Sequence, residues 1–135
     1  DQNFMVTYGD GVSDINIKKL VSFHLKQGTV GTISGVHPIS KYGLVGVRTN
    51  NIVKHFIEKP MLTDWVNGGF MIFNAKVFDQ INKGETEHPI LQRLSAKRQL
   101  SLYKHKGFWQ CVDTHKELEA LNQMWKDNPL WKCWE

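Results

Sequence analysis

Phe4-Met5-Val6-Thr7-Tyr8-Gly9-Asp10-Gly11 is an apolar run of strand length that ends in a carboxylate between two glycines. A short continuous apolar run bounded by turn residues reads as a buried strand, here a central parallel one over residues 4–8. A second run, Gly107-Phe108-Trp109-Gln110-Cys111-Val112-Asp113-Thr114, also ends in a carboxylate, just before a helix. Open α/β sheets bind ligands beyond the C-terminal ends of their strands. Asp10 and Asp113 converging there would hold a divalent cation over a phosphate, since Mg²⁺ takes one or two carboxylates plus substrate oxygens. The pair points to phosphoryl or nucleotidyl chemistry.

Downstream of the first run, Ser13 or Asp14 can cap a helix to about Gln27, with Gly28 as its stop. Its apolar face is Ile17, Leu20, Val21, His24 and Leu25, which makes His24 a packed helix histidine. Residues 29–37 form the next strand, and strand-helix-strand predicts a right-handed βαβ unit. Leu44–Arg48 and Ile52–Glu58 read as a hairpin joined through Thr49-Asn50-Asn51, and Val66–Phe73 as a further strand. Asn74 caps a short helix with Val77, Phe78 and Ile81 inward. Pro89 opens another that buries Ile90, Leu91 and Leu94. Leu100–Tyr103 and Phe108–Val112 are strands, and Thr114-His115-Lys116-Glu117 is a capping box for a last helix with Leu118, Leu121 and Trp125 buried. These elements predict an α/β fold, a mixed sheet with packed helices, in a single domain over residues 1–135.

The 135 residues carry 17 basic and 13 acidic side chains, net +4, which suits an anionic small ligand. Nucleic-acid binding usually shows as a dense basic stripe. Lys97-Arg98 and Lys104-His105-Lys106 read instead as solvated faces. Cys111 and Cys133 are too few for a disulfide framework or a zinc site. No run approaches the ~20 residues of a membrane span, and no charged and apolar leader opens the chain, so a cytoplasmic location is expected. Asp1-Gln2-Asn3 leads almost at once into a strand, as in a piece of a longer protein.

Three further motifs admit both a ligand and a local structural reading. Glu58-Lys59-Pro60 ends a strand; proline drives Lys59 to an extended backbone, aiming its ammonium at a phosphate or leaving a solvated Glu/Lys pair. Asn67-Gly68-Gly69 within a strand marks close approach of a ligand or a β-bulge. Lys41-Tyr42-Gly43 offers backbone amides to a sugar hydroxyl or makes a turn. Trp125, Trp131 and Trp134 suggest a tail that packs on another subunit.

In order, Tyr-Gly-Asp-Gly-Val-Ser-Asp at 8–14, Lys-Tyr-Gly at 41–43, Glu-Lys-Pro at 58–60, Val-Asn-Gly-Gly-Phe at 66–70 and Gly-Phe-Trp-Gln-Cys-Val-Asp-Thr at 107–114 resemble the sugar-1-phosphate nucleotidyltransferases. The resemblance continues into the closing tryptophans, and the 107–114 stretch points to the glucose-1-phosphate cytidylyltransferase branch. The resemblance implies Mg²⁺ on Asp10 and Asp113, Lys59 on the sugar phosphate, and Glu58 on sugar hydroxyls. It places Gly43, Val66 and Gly68 against the hexose through their backbone, and Gly9 against the nucleotide. The implied substrates are a sugar phosphate and a nucleoside triphosphate: CTP and glucose-1-phosphate give CDP-glucose and pyrophosphate.

Such enzymes begin with a glycine-rich loop bearing arginine and then lysine, which cradles the triphosphate; no such loop lies near residue 1. The chain therefore resembles the C-terminal half of a partial, Rossmann-like nucleotidyltransferase without its N-terminal strands, inactive alone. The alternatives are a sugar-phosphate and Mg²⁺ binding module, or an oligomeric structural remnant without catalysis. A sheet without those strands would expose apolar surface, so a homo-oligomer or dimer that covers it is expected.

Overall fold

A computed structural model describes residues 2–134. Eight strands, three α-helices and one 3₁₀ turn follow the order β1 (Asn3–Thr7), β2 (Gly11–Ser13), α1 (Ile17–Gln27), β3 (Gly31–Val36), β4 (Leu44–Val47), β5 (Val53–Ile57), β6 (Val66–Asn74), the 3₁₀ turn Ala75–Gln80, α2 (Glu87–Ala96), β7 (Leu100–Lys104), β8 (Trp109–Cys111) and α3 (His115–Asp127). The main sheet is mixed, in the order β1-β6-β3-β7. β6 runs antiparallel to both β1 and β3, whereas β3 and β7 are parallel.

β6 is buried on both faces, and this explains its apolar run Phe70-Met71-Ile72-Phe73. Met71 and Phe73 meet Val77, Ile90 and Leu94 of the 3₁₀ turn and α2. Ile72, on the opposite face, meets Ile15 and Leu20 beside α1. The sheet is thus covered on both sides, with α1 on one and α2 on the other.

Residues 4–8 were expected to be the central parallel strand. Instead β1 is one of the two edge strands of the four and, among the described residues, pairs with β6 alone, antiparallel. Phe4 and Val6 pack on the α2 side, while Met5 points the other way and is 60% exposed. Continuous apolar character, without alternation, could not separate an outer strand from a central one. β1 and β3 do run the same way, but β6 is inserted between them.

Helix α1 starts later than expected. Its cap is Asn16, whose Oδ1 accepts from the Lys19 amide at 2.9 Å, because Ser13 and Asp14 are engaged elsewhere. Gly28 ends it at φ +66. His24 is buried: Nδ1 lies 2.8 Å from Thr32 Oγ1 and Nε2 3.2 Å from Asn3 Oδ1, tying α1 to β3 and β1. Leu25, expected inward, is 60% exposed. Phe78 and Ile81, also expected inward, are largely exposed, although Phe78 stacks on Phe4 at 5.4 Å.

The β4–β5 hairpin forms as expected, with Asn51 at φ +62 in its turn, but as a separate two-stranded sheet. Leu44, Val45, Val53, Phe56 and Ile57 are all exposed on it.

Candidate functional site

The feature that organises the site is a short ribbon that the sequence reading missed. After Gly9-Asp10 turns the chain out of β1, Gly11–Ser13 pairs antiparallel with Trp109–Cys111, with Gly11 opposite Cys111. The Val112 amide donates to the Asp10 carbonyl at 2.8 Å. Ser13 Oγ donates to the Phe108 carbonyl at 2.7 Å, and the Asp14 amide to the same oxygen at 3.2 Å. The ribbon therefore brings the backbones of Asp10 and Asp113 to neighbouring positions.

Their side chains have different surroundings. Asp10 lines a cleft of about 640 Å³ with Val12, Val112 and the α3 side chains Leu118, Leu121 and Trp125. Asp113 Oδ2 lies 2.6 Å from Lys41 Nζ and 3.7 Å from Cys111 Sγ. Both aspartates are exposed, and both are hard oxygen donors of the kind Mg²⁺ takes one or two at a time. The donor set therefore fits the ion in kind, with Asp113 paired to an ammonium. Among the described residues no cluster of three or more His, Cys, Asp or Glu forms a ready-made cage.

Lys41 is shared. Its Nζ also lies 3.1 Å from Glu117 Oε1. The other oxygen, Glu117 Oε2, accepts from the amides of Asp113 at 2.8 Å and Thr114 at 2.9 Å, completing the expected capping box. The Asp113 amide and then the Lys41 ammonium hold the Glu117 carboxyl down at about 2. Asp113 and then Glu117 raise the ammonium of Lys41 above its usual range. Burial, and then the Asp113 charge, push the Cys111 thiol up, so Cys111 is not an activated nucleophile.

Residues 38–42 bring Lys41 beside the second motif. The Ser40 amide donates to the Pro60 carbonyl at 2.8 Å, the Leu62 amide to the Pro38 carbonyl at 2.9 Å, and Ile39 bridges Met61. Lys59 does not have the extended backbone expected before a proline; its φ is +45, in the left-handed region. The chain leaving β5 must turn back so that Pro60 can meet Ser40, and this overrides the local preference. Lys59 Nζ has only a loose contact with Glu58, at 4.0 Å, and both side chains are exposed and able to meet a ligand. Gly43 lies directly under Phe56 and Glu58: a Cβ there would sit 3.0 Å from Glu58 Oε2 and closer still to the Phe56 ring.

At Asn67-Gly68-Gly69 the bulge reading holds, since the β3–β6 register shifts between Ile33 and Gly35. The close neighbours are the protein's own groups. A Cβ on Gly68 would fall 2.9 Å from Ser34 Oγ, and one on Gly69, at φ +79, would fall 2.7 Å from the Tyr8 ring. The Gly68 carbonyl accepts from Trp109 Nε1 at 2.8 Å, and the Gly69 carbonyl from the Tyr8 amide at 3.0 Å. Val66 begins β6 opposite Val36. Each motif singled out from the sequence is thus linked to at least one other, at the end of the sheet where β1, β3 and β7 finish.

His105 Nε2 lies 3.2 Å from Ser13 Oγ and 2.9 Å from Asp14 Oδ1. One nitrogen faces both groups, so this is a brace for the 105–108 loop and not a nucleophile relay. Trp131 stacks within its own chain, on Phe108 at 5.8 Å and Trp125 at 6.1 Å, while Trp134 is 57% exposed. Among the described residues no helix is long and apolar enough to cross a membrane.

Residues 1–128 match the sequence family described as Nucleotidyl transferase. The chain belongs to that family. It is 38% identical over 138 residues to a protein of Bacillus subtilis named as a probable glucose-1-phosphate cytidylyltransferase, covering 99% of this chain and 54% of that one. It is 36% identical over 139 residues to the glucose-1-phosphate cytidylyltransferase of Salmonella typhimurium, covering 100% of this chain and 54% of that protein. The crystal structure of HddC from Yersinia pseudotuberculosis superposes with a TM-score of 0.64 at 19% identity, over 93% of this chain and 56% of that one. The chain spans about half the length of the curated relatives it matches. The mixed α/β architecture is that of nucleotidyltransferases.

Lys41 and Glu117 were missed as site groups. Lys41 was noted only beside a glycine turn and Glu117 only as a cap. Nothing local in either segment signals that they meet at Asp113.

Proposed function

We propose that this chain forms the metal and sugar-phosphate side of a sugar-1-phosphate nucleotidyl transfer, with glucose-1-phosphate and CTP as substrates. Asp10 and Asp113 take a divalent ion, Mg²⁺, which when bound neutralises phosphate charge. Lys59 contacts the sugar phosphate as a point charge. Glu58 and the backbone of Gly43, Val66 and Gly68 face the hexose, with the Gly68 carbonyl already held by Trp109. Gly9 lies against the nucleotide. In the reaction a sugar-phosphate oxygen forms a bond to the α-phosphorus as the bond to pyrophosphate breaks, so positioning and charge neutralisation carry most of the rate.

The supporting observation is the continuous linkage of the motifs: Asp10 to Val112, Asp113 to Lys41, Ser40 to Pro60 and Gly68 to Trp109. Without a glycine-rich loop bearing arginine and lysine, residues 1–135 are expected to bind glucose-1-phosphate in a Mg²⁺-dependent way and to release no pyrophosphate from CTP. Titration calorimetry on the wild type, Lys59→Met and Asp113→Asn tests this. Glucose-1-phosphate binding that neither substitution weakens would overturn the assignment.

A further inference from the structure

Lys41 is the most heavily paired cation of the site, and the proposed chemistry gives it no role. Its Nζ lies 2.6 Å from Asp113 Oδ2 and 3.1 Å from Glu117 Oε1. The two carboxylates differ in freedom. Asp113 is 53% exposed, and among the described residues its carboxylate has Lys41 and Cys111 as hydrogen-bond or ion-pair partners. Glu117 is 20% exposed, and two backbone amides fix its other oxygen. One ammonium thus bridges an exposed carboxylate and an anchored one.

We propose that Lys41 is a resident place-holder on Asp113, which a divalent cation must displace, and that Glu117 is the anchor that keeps the displaced ammonium at the site. This rests on the metal assignment made above for Asp113. An exposed lysine–carboxylate pair is weak, so it yields readily, and the dication brings twice the charge to the same oxygen. Lys41 then remains beside Glu117, next to the 58–62 segment through Ser40 and Pro60, with donors free to turn toward a phosphate. The exchange leaves Asp113 neutralised both with and without ligand, so this open carboxylate never faces the sugar phosphate uncompensated.

The test uses Mn²⁺ alone as probe, with affinity read from the loss of its free-ion paramagnetic resonance signal. The proteins are the wild type, Lys41→Met, Lys41→Arg, Asp113→Asn and the Lys41→Met/Asp113→Asn pair. Lys41→Met is expected to bind about three- to tenfold more tightly than wild type. Lys41→Arg, which keeps a cation on the carboxylate, should bind no more tightly. The gain should persist in 0.5 M KCl, because displacement at contact is screened far less than a distant charge effect. It should vanish in the Asp113→Asn background.

Equal or weaker Mn²⁺ binding by Lys41→Met, in a wild type that binds and an Asp113→Asn that does not, overturns the place-holder role and leaves the metal assignment standing. A gain that survives Asp113→Asn overturns it in the same way. Failure of every variant to bind Mn²⁺ removes the metal assignment itself, and this inference with it.

Discussion

Replacing Gly69 with alanine probes the joint that holds the whole constellation in place. Gly69 has φ +79 at the β6 bulge, and an added Cβ would lie 2.7 Å from Tyr8 Cδ2 and 3.1 Å from Cγ. Two effects add. A side chain in the left-handed region costs about 1–2 kcal/mol. Overpacking against the body of a half-buried ring costs a further ~1–3 kcal/mol, since Tyr8 is also held by Asn67, Glu87 and the Gly69 carbonyl. The sum is roughly 2–5 kcal/mol. Gly28→Ala is the control, because Gly28 has φ +66 but nothing within 4 Å of its would-be Cβ, so only the conformational effect remains. Urea denaturation of both variants, followed by far-ultraviolet circular dichroism, gives the difference. Gly69→Ala should be at least about 1 kcal/mol worse than Gly28→Ala, and Tyr8→Ala should recover that excess. Equal losses in the two glycine variants would refute the claim that the Tyr8 ring blocks the position.

Burial holds the imidazole of His24 below its ordinary value of 6.5, so the unfolded chain takes up that proton first. Stability should therefore be highest above pH 6.5 and fall as pH drops below it; a Tm profile that is flat in the wild type, or unchanged by His24→Gln, would contradict this. The Glu117 and Glu85 carboxyls sit at about 2, the first held by the Asp113 amide and Lys41, the second by Arg93 and Asn82. Their contribution is complete above about pH 4.5 and is lost as pH falls toward 2, so Glu85→Gln and Glu117→Gln should each flatten the acid limb of the Tm profile. Trp109→Phe removes the donor to the Gly68 carbonyl and should cost about 1–3 kcal/mol in urea denaturation, because it strands an acceptor within β6.

The elements were legible where local chemistry decides them. The Gly28 stop, the Thr114–Glu117 capping box and the Thr49-Asn50-Asn51 turn all stand where the residues place them. Strand order was not legible. Phe4-Met5-Val6 and Phe70-Met71-Ile72 have the same apolar character, yet only the second is buried on both faces, because strand order depends on partners remote in sequence. Ser13 and Asp14 suit a helix cap, but Phe108 and His105 claim them, and Asn16 takes the cap instead. At the site, the motifs marked the right segments. What escaped is which side chain meets which: the Lys41–Asp113 contact joins two loops, and neither carries a local signature of the other. The left-handed backbone of Lys59 escaped for a related reason, since the turn back to Ser40 outweighs the preference of a residue before proline.

The β4–β5 hairpin has a consequence for how the site behaves over time. Among the described residues no helix covers its largely exposed strands, and a two-stranded ribbon is marginal by itself. Amide exchange there should be rapid, through local opening far below the free energy that unlocks β6. Gly43 and Glu58 flank this ribbon, so part of any affinity for a hexose is spent on quieting it. A tight ligand should announce itself first as slowed exchange from Leu44 to Ile57, before any change elsewhere in the sheet.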